Sequence, residues 1–459
     1  MAPLNFLFIL IDDLGWADLA CYGSRFHETP HLDRLAADAL RFTDAYAASP
    51  VSSPTRASIL TGKDPARLHL TNFLVGKRWP ENGPLRPVAW QHWLPLEEVT
   101  IAEALREAGY TCGYVGKWHL GDRPYTPEAQ GFGFNRGGCA LGAPPSYFDP
   151  YKIPALPDRR PGEYLNDRLA DEAEAFLEAN RDRPFLLCFA HYAVHIPLQA
   201  RADLLAKYEA KARAAPRPES EVFGIESGWK ERRVQDHPVY AAMVESVDET
   251  VGRMTAALER LGLAERTAVF FFSDNGGLST AEGWPTSNRP LRAGKGWLYE
   301  GGIREPLIVK WPGVTPPGAV SAAPVTSDDF YPTILEMADL EPRPAQHADG
   351  LSFAPLLRGG PAPKRDALFF HYPHYSNQGG RPGSAVREGR WKLIESFEDG
   401  RLELFDLRED PGEAHDLAAR MPGRAGRLRA RLAAWRAAVG AQVPGPNPDY
   451  RPAPNEAAP

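Results

Sequence analysis

The sequence has few cysteines, no long apolar run and no excess of positive charge, and each absence argues against a class of protein. Its 459 residues include four widely separated cysteines, with no C-x-x-C pair: Cys21, Cys112, Cys139 and Cys188. This spacing argues against a zinc knuckle or a disulfide-stapled scaffold and favours free cysteines in a folded core, with a single disulfide as the open alternative. No stretch is long enough to span a bilayer. A net charge of −7 gives no whole-chain attraction for nucleic acid or an anionic membrane.

The apolar segment Asn5–Ile11 is typical of a buried strand rather than of a signal peptide. It is short, lacks a basic start and ends in two acidic residues, Asp12 and Asp13. Two locations stay open: the cytoplasm, or export after removal of a signal that preceded this sequence.

Short apolar segments alternate with segments of helical periodicity along most of the chain. The predicted strands are residues 4–11, 111–115, 184–191, 268–273 and 307–310. The predicted helices are residues 31–42, 101–108, 167–179 and 239–261. Continuous apolar strands between amphipathic helices predict an α/β fold with a large, mainly parallel sheet covered by helices on both faces.

The pattern changes near residue 368. Short alternating segments at 386–387, 391–394 and 402–405 precede a helix-period segment at 414–439, which predicts a small antiparallel sheet with a closing helix. We therefore divide the chain into a large α/β domain (1–365), a C-terminal subdomain (366–440) and a proline-rich tail (441–459). The charged segment 211–235 is predicted to be a surface excursion.

Oxygen-bearing side chains follow two of the predicted strands, which end next to Asp12 and Asp13 and next to Asp274 and Asn275. Ligands of parallel sheets bind at the carboxyl ends of the strands. A hard cation such as Ca²⁺ or Mg²⁺ prefers oxygen ligands, whereas zinc prefers His or Cys. Adjacent acidic residues also cap helices and turns, which is the alternative for either pair alone. Two such clusters in one sheet favour a metal site.

A second candidate region is segment 50–62. Pro54 suits the first turn of a helix, and Ser53 is a natural cap. Ser52 would then stand just before the helix N-terminus, where free N–H groups stabilise a developing anion, with Arg56 within reach. An ordinary serine-capped helix explains the same local pattern.

Basic side chains follow other predicted strands. Lys117 and His119 alternate after strand 111–115, so both can point the same way from extended backbone. His195 lies just past another strand, and Lys295 lies between glycines that let the backbone approach a ligand closely. Taken singly, each has an ordinary explanation as a hydrogen-bonded histidine or a lysine reaching to solvent.

Together these motifs resemble the type I sulfatase family, within the alkaline phosphatase superfamily. The family signature (Cys or Ser, any residue, Pro, any residue, Arg) is matched by Ser52-Ser53-Pro54-Thr55-Arg56. The resemblance covers nearly the whole chain and includes, in the family's order, residues 11–15, 57–62, 116–121, 273–277, 295–306 and 404–411. It implies a sulfuric ester hydrolase.

The resemblance also implies a nucleophile and a metal. Ser52 would be oxidised to formylglycine by a maturation enzyme, and the hydrate of that group would attack sulfur. The implied ion is Ca²⁺, with Mg²⁺ as second choice, and its implied ligands are Asp12, Asp13, Asp274 and Asn275. The serine in the signature is explained by a maturation pathway that oxidises serine instead of cysteine. It is explained equally by an engineered replacement of a native cysteine. Both explanations stay open.

The remaining family roles fall on the basic residues. Arg56 would orient the nucleophile, and Lys117 and Lys295 would neutralise the sulfate oxygens. His195 would protonate the leaving alcohol, with Lys295 as the other candidate, and His119 would act as the base.

Segment 370–380 is the candidate for binding a sugar. It mixes His and Tyr with glycines, and it resembles a loop of sulfatases that act on sulfated galactose or N-acetylgalactosamine, with O4 as the predicted sulfate position. The side chains singled out are His371, His374 and Tyr375. A polar hinge between the two parts of the chain is the competing explanation.

Two other functions stay open from the sequence. A phosphate or phosphonate ester hydrolase of the same superfamily would share the fold, although its phosphatases carry more His and Asp ligands. A non-catalytic protein that binds sulfated glycans would not need Lys117, His119, His195 and Lys295 together. The predicted partners are a sulfated saccharide and the maturation enzyme, with no nucleic acid and no membrane.

Overall fold

The computed structural model of the protein describes residues 3–74 and 83–451. In these two ranges it contains a nine-stranded sheet, a four-stranded sheet and a two-stranded hairpin. The strands are β1 (Asn5–Ile11), β2 (Leu40–Tyr46), β3 (Thr111–Gly116), β4 (Phe134–Arg136), β5 (Phe185–Ala190), β6 (Phe223–Glu226), β7 (Trp229–Arg232), β8 (Thr267–Ser273), β9 (Arg304–Lys310), β10 (Ala319–Ser321), β11 (Val325–Thr326), β12 (Leu368–Tyr372), β13 (Gly383–Glu388), β14 (Trp391–Ser396) and β15 (Leu402–Asp406). The helices are α1 (Pro30–Ala37), α2 (Ser52–Thr61), α3 (Pro65–Leu68), α4 (Ile101–Glu107), α5 (Leu165–Ala179), α6 (Ala202–Ala214), α7 (Glu219–Val222), α8 (Pro238–Arg260), α9 (Glu300–Ile303), α10 (Phe330–Met337), α11 (Ala354–Leu357) and α12 (Pro422–Val439).

The large sheet has the strand order β10-β2-β9-β8-β1-β5-β3-β4, with β11 paired to β2. Its centre is parallel: β1 pairs with β8 and β5, and β5 pairs with β3. β9 runs antiparallel to both β8 and β2. Phe8 of β1 packs into one apolar core, and its neighbour Ile9 packs into the other, on the opposite face of the sheet. The predicted α/β fold with a mainly parallel, doubly covered sheet is confirmed, and so is the separate antiparallel sheet near the C-terminus.

Strand register brings the candidate site residues to one edge of the large sheet. Ile11 lies opposite Ser273, and Gly116 lies opposite Ala190. Because these four strand ends are parallel neighbours, the polar residues that follow each of them meet at the same place.

The four-stranded sheet has the order β12-β13-β14-β15 and packs against α12. Buried Lys392 of β14 lies 2.9 Å from Glu300 of α9 and 2.8 Å from Glu413. A buried cation between two carboxylates avoids the cost of an unpaired charge, so this contact ties the small sheet to the segment that carries Lys295. The division at residues 365 and 440 stays a prediction, and residues 452–459 of the predicted tail lie outside the described residues.

Some predicted elements differ from those observed. The predicted helix 31–42 ends at Ala37, and residues 40–46 form β2 because their side chains alternate between the two faces of the sheet and pair with β9. The predicted helix 414–439 begins only at Pro422. The predicted excursion 211–235 contains the end of α6, the short helix α7 and the hairpin β6–β7.

All four cysteines lie in the described residues and are free, as favoured by their spacing. Among the helices of the described ranges, none combines the length and the apolarity needed to cross a membrane.

Candidate active site

Four oxygen-bearing side chains lie together at the edge of the large sheet. Asp12 and Asp13 follow β1, Asp274 and Asn275 follow β8, and all four are buried. The Asn275 side-chain amide donates to Asp13 Oδ1 at 2.8 Å. Asp13 has a φ of 60°, in the left-handed region that non-glycine residues adopt only when their surroundings hold them there.

Three cations balance the three carboxylates of this cluster. Lys117 Nζ lies 2.6 Å from Asp12, and Lys295 Nζ lies 2.7 Å from an oxygen of Asp13. The third pair joins Arg56 Nε to Asp274 Oδ2 at 2.8 Å, and the Arg56 guanidinium also donates to the Lys117 carbonyl. With all six groups ionised, their charges add up to zero, although all six are withdrawn from water.

Ser52 is the first residue of α2 and points into this cluster. Its Oγ lies 3.2 Å from Asp12 Oδ1, 3.2 Å from Asn275 Oδ1 and 3.2 Å from Lys117 Nζ. The expectation that Ser53 caps the helix is wrong: the cap position is Val51. The Ser53 hydroxyl instead donates to the His119 carbonyl at 2.8 Å, so it holds the chain next to the site.

Two histidines lie beside the cluster. His119 donates from Nε2 to the Leu74 carbonyl at 2.8 Å, and within the described residues its buried Nδ1 has no hydrogen-bond partner. Burial and the charge of Lys117 hold the pKa of His119 well below its usual value, which favours a neutral ring with Nδ1 as a hydrogen-bond acceptor. His195 donates from Nδ1 to the Ile196 carbonyl at 2.9 Å, which turns Nε2 toward Asp13 at 3.5 Å. Burial and Lys295 lower the pKa of His195 to about 3.

The two adjacent aspartates have opposite electrostatic environments. Burial raises the pKa of Asp12 to about 8, although Lys117 opposes this effect. Burial alone would also raise the pKa of Asp13, but Lys295 and His195 lower it below its usual range. One ligand atom from each of Asp12, Asp13 and His195 lies within 4.8 Å of the others, an arrangement that can hold a metal ion.

The three side chains predicted to bind a sugar are all engaged with other parts of the protein. His371 is buried in β12, and its ring nitrogens contact Ser384 Oγ at 2.7 Å and the Gln442 carbonyl at 2.9 Å. His374 Nε2 contacts Thr71 Oγ1 at 2.8 Å, and the Tyr375 hydroxyl donates to Glu398 at 2.7 Å. Their role in sugar binding stays a prediction.

Residues 376–380, which we call the strap, pass next to Lys295. A side chain at Gly380 would collide with the Gly296 carbonyl, and a side chain at Gly296 would collide with Ser376. The Gly296 N–H donates to the carbonyl of Pro50 at 2.8 Å, two residues before Ser52. Asn377 and Gln378 of the strap were not singled out from the sequence, since His and Tyr are the more familiar sugar-binding side chains.

Comparison with known proteins identifies the family of this chain. The sulfatase family model matches residues 4–340, and a model for the C-terminal region of N-sulphoglucosamine sulphohydrolase matches residues 293–434. A sulfatase of Formosa agariphila is 32% identical over 94% of this chain and 88% of its own length. The N-acetylgalactosamine-6-sulfatase of Canis lupus familiaris is 34% identical over 80% of this chain and 68% of its own length.

A solved structure is similar over nearly the whole chain. The crystal structure of Ps i-CgsB in complex with k-i-k-neocarrahexaose has a TM-score of 0.79 and 27% identity, covering 99% of this chain and 96% of that chain. The family model spans more than half of the chain, and both relatives are at least 30% identical and are covered over more than two thirds of their own length. The chain therefore belongs to the sulfatase family and is a sulfuric ester hydrolase.

Proposed function

We propose that this enzyme removes sulfate from a carbohydrate ester and that Ser52, oxidised to formylglycine, supplies the nucleophile. The observation that carries the proposal is the position of Ser52 Oγ, 3.2 Å from Asp12, Asn275 and Lys117 alike. An unmodified serine hydroxyl is a weak nucleophile at neutral pH, whereas the hydrate of an aldehyde carries one hydroxyl to attack sulfur and a second to expel sulfate.

The donor set around Ser52 fits a hard divalent cation. Carboxylate and amide oxygens from Asp12, Asp13, Asp274 and Asn275 suit Ca²⁺, with Mg²⁺ as second choice. Such an ion polarises a sulfate oxygen and lowers the pKa of a hydroxyl bound to it. With these three carboxylates and three cations ionised, a divalent ion would bring the local charge to about +2. This gives a chain of net charge −7 the local positive field that an anionic ester requires.

The neighbouring side chains have complementary roles. Arg56 is held by Asp274, and its buried Nη2 has no partner among the described residues, so it can donate to the oxidised Ser52 side chain. Lys117 and Lys295 provide positive charge for the sulfate oxygens. His119 Nδ1, which has no hydrogen-bond partner among the described residues, can accept the proton that is released when the nucleophile is regenerated.

The substrate class is supported by the relatives. One relative is named for N-acetylgalactosamine-6-sulfate, and a similar structure contains a neocarrahexaose. We extend the sequence-based proposal of a sulfated galactose or N-acetylgalactosamine to this enzyme. Sulfate at O4 is the specific proposal, and O6 is its direct competitor.

The test is a substrate panel with wild-type enzyme from a host that oxidises serine. We expect hydrolysis of 4-nitrophenyl sulfate to exceed that of 4-nitrophenyl phosphate, and release of sulfate from galactose or N-acetylgalactosamine monosulfates. Faster phosphate ester hydrolysis would favour the phosphatase alternative. Binding of sulfated sugars without turnover of any ester would favour the glycan-binding alternative, and turnover of the aryl sulfate alone would contradict the carbohydrate assignment.

His195→Ala is expected to lower kcat by about 10²-fold or more on a sugar sulfate and by less than about 10-fold on 4-nitrophenyl sulfate. The proposed reason is that His195, neutral in the free enzyme, takes up a proton when the anionic ester binds beside it and then gives that proton from Nε2 to the leaving oxygen, whereas nitrophenolate leaves without one. The measurement is kcat/KM on both substrates, with exposed His415→Ala as the control. Equal losses on the two substrates would contradict the role of His195 as acid.

A further inference from the structure

Glu282 is a carboxylate beside the site that has no role in the chemistry above. It is half-buried and has a φ of 52°, in the left-handed region. Its Oε1 accepts from the Asn377 side-chain amide at 2.9 Å, and its Oε2 accepts from the Gln378 amide at 3.1 Å. A carboxylate has about four acceptor positions, so two of them remain available for a ligand.

Contacts of the strap locate Glu282 near Lys295. Gln378 packs directly on Gly296, the residue after Lys295, because a side chain at Gly296 would meet Gln378 Oε1 at 2.9 Å. The carboxylate thus lies on the side of the site where Lys295 would hold sulfate.

The strap itself is firmly attached at this point. The Gln378 carbonyl accepts from Thr280 Oγ1 at 2.6 Å and from Trp297 Nε1 at 2.9 Å. Asn377 is half-buried, and its Oδ1 has no hydrogen-bond partner in the described part of the chain. Glu282 therefore offers its remaining acceptor positions at a fixed place, next to the buried Oδ1 of Asn377.

The sign of the charge limits what can bind there. A carboxylate repels sulfate at short range in a site withdrawn from water, so Glu282 is unsuited to hold the reacting group. Its free acceptor positions suit a neutral donor, and sugar hydroxyls are such donors. We propose that Glu282, supported by Asn377, binds a free hydroxyl of the sugar ring that carries the sulfate and disfavours a second sulfate at that position. This inference rests on the proposed carbohydrate function.

The test is Glu282→Gln, which keeps the size of the side chain and removes its charge. The amides of Asn377 and Gln378 can flip to pair with the new amide, so the strap keeps its hydrogen bonds. We expect kcat/KM on galactose monosulfate to fall about 10- to 100-fold, the effect of losing a hydrogen bond to a charged group. On 4-nitrophenyl sulfate, which has no ring hydroxyl to bind, kcat/KM should stay within about 2-fold of wild type.

The matched control is Glu128→Gln, whose exposed carboxylate also accepts from a side-chain amide, that of Asn135 at 3.2 Å. A second readout is the ratio of kcat/KM for a monosulfated over a disulfated galactose, which the removal of the charge should reduce.

Equal losses of kcat/KM on the sugar sulfate and the aryl sulfate would show that Glu282 only supports the strap. Unchanged kinetics on the sugar sulfate would show that Glu282 does not contact the substrate. Either result overturns the inference and leaves the proposed function intact. A wild-type enzyme that cleaves the aryl sulfate but no sugar sulfate would overturn both.

Discussion

Ser52→Ala is expected to abolish sulfatase activity, lowering kcat by about 10⁴-fold or more. Alanine cannot be oxidised to an aldehyde, so the site keeps its charges and loses its nucleophile. The assay is turnover of 4-nitrophenyl sulfate. It is paired with mass spectrometry of the wild-type tryptic fragment 42–56, in which oxidation of Ser52 removes two hydrogens.

Ser52→Cys provides the rescue control, because cysteine is the other residue of the family signature. We expect this variant to recover activity when it is produced in a host that oxidises the signature cysteine, and to stay inactive in a host that does not. Substantial turnover by Ser52→Ala, or by wild-type enzyme whose Ser52 is unmodified, would contradict the mechanism and reopen phosphate ester hydrolysis.

Asp12→Asn is expected to remove the bound divalent ion and to lower kcat by about 10³-fold or more, since charge stabilisation by a catalytic metal contributes several kcal/mol. Asparagine keeps the size of the side chain, and so limits the packing change around buried Lys117. The measurements are metal content by elemental mass spectrometry and activity after chelation and return of Ca²⁺ or Mg²⁺. The ion that restores more activity identifies the cofactor.

Asp203→Asn is the matched control for this substitution. Asp203 is also paired with a cation, Arg201 at 2.9 Å, but its side chain is exposed and it is not one of the candidate metal ligands. Normal metal content and near-normal turnover in Asp12→Asn would contradict the assignment of this site.

The strands that carry the site were predicted from their composition. Continuous apolar residues in β1, β3, β5 and β8 are typical of strands buried on both faces, and these segments agree with the structure to within a residue or two. The error at residues 38–42 arose because Leu40 and Phe42 also fit the helical period of the preceding helix. Pairing with β9, more than 250 residues away, decides that this segment is a strand.

The sequence by itself determined the fold class, the family and the set of candidate site residues. It could do so because most of those residues follow a recognisable strand or lie in the first turns of a recognisable helix. The carboxyl ends of neighbouring parallel strands lie at the same edge of a sheet, so residues that follow them come together. A short motif such as Ser52-Ser53-Pro54-Thr55-Arg56 is local and can be identified without tertiary contacts.

Only the tertiary structure decided how these residues are paired and which others join them. Asp12 is paired with Lys117, Asp13 with Lys295, and Asp274 with Arg56. Likewise, His371 is hydrogen-bonded within the protein, while the strap packs on Gly296, the residue after Lys295, and donates to Glu282. These contacts join residues that are tens to hundreds of positions apart. Their geometry depends on side-chain packing across the whole site, and no local pattern in the sequence encodes it.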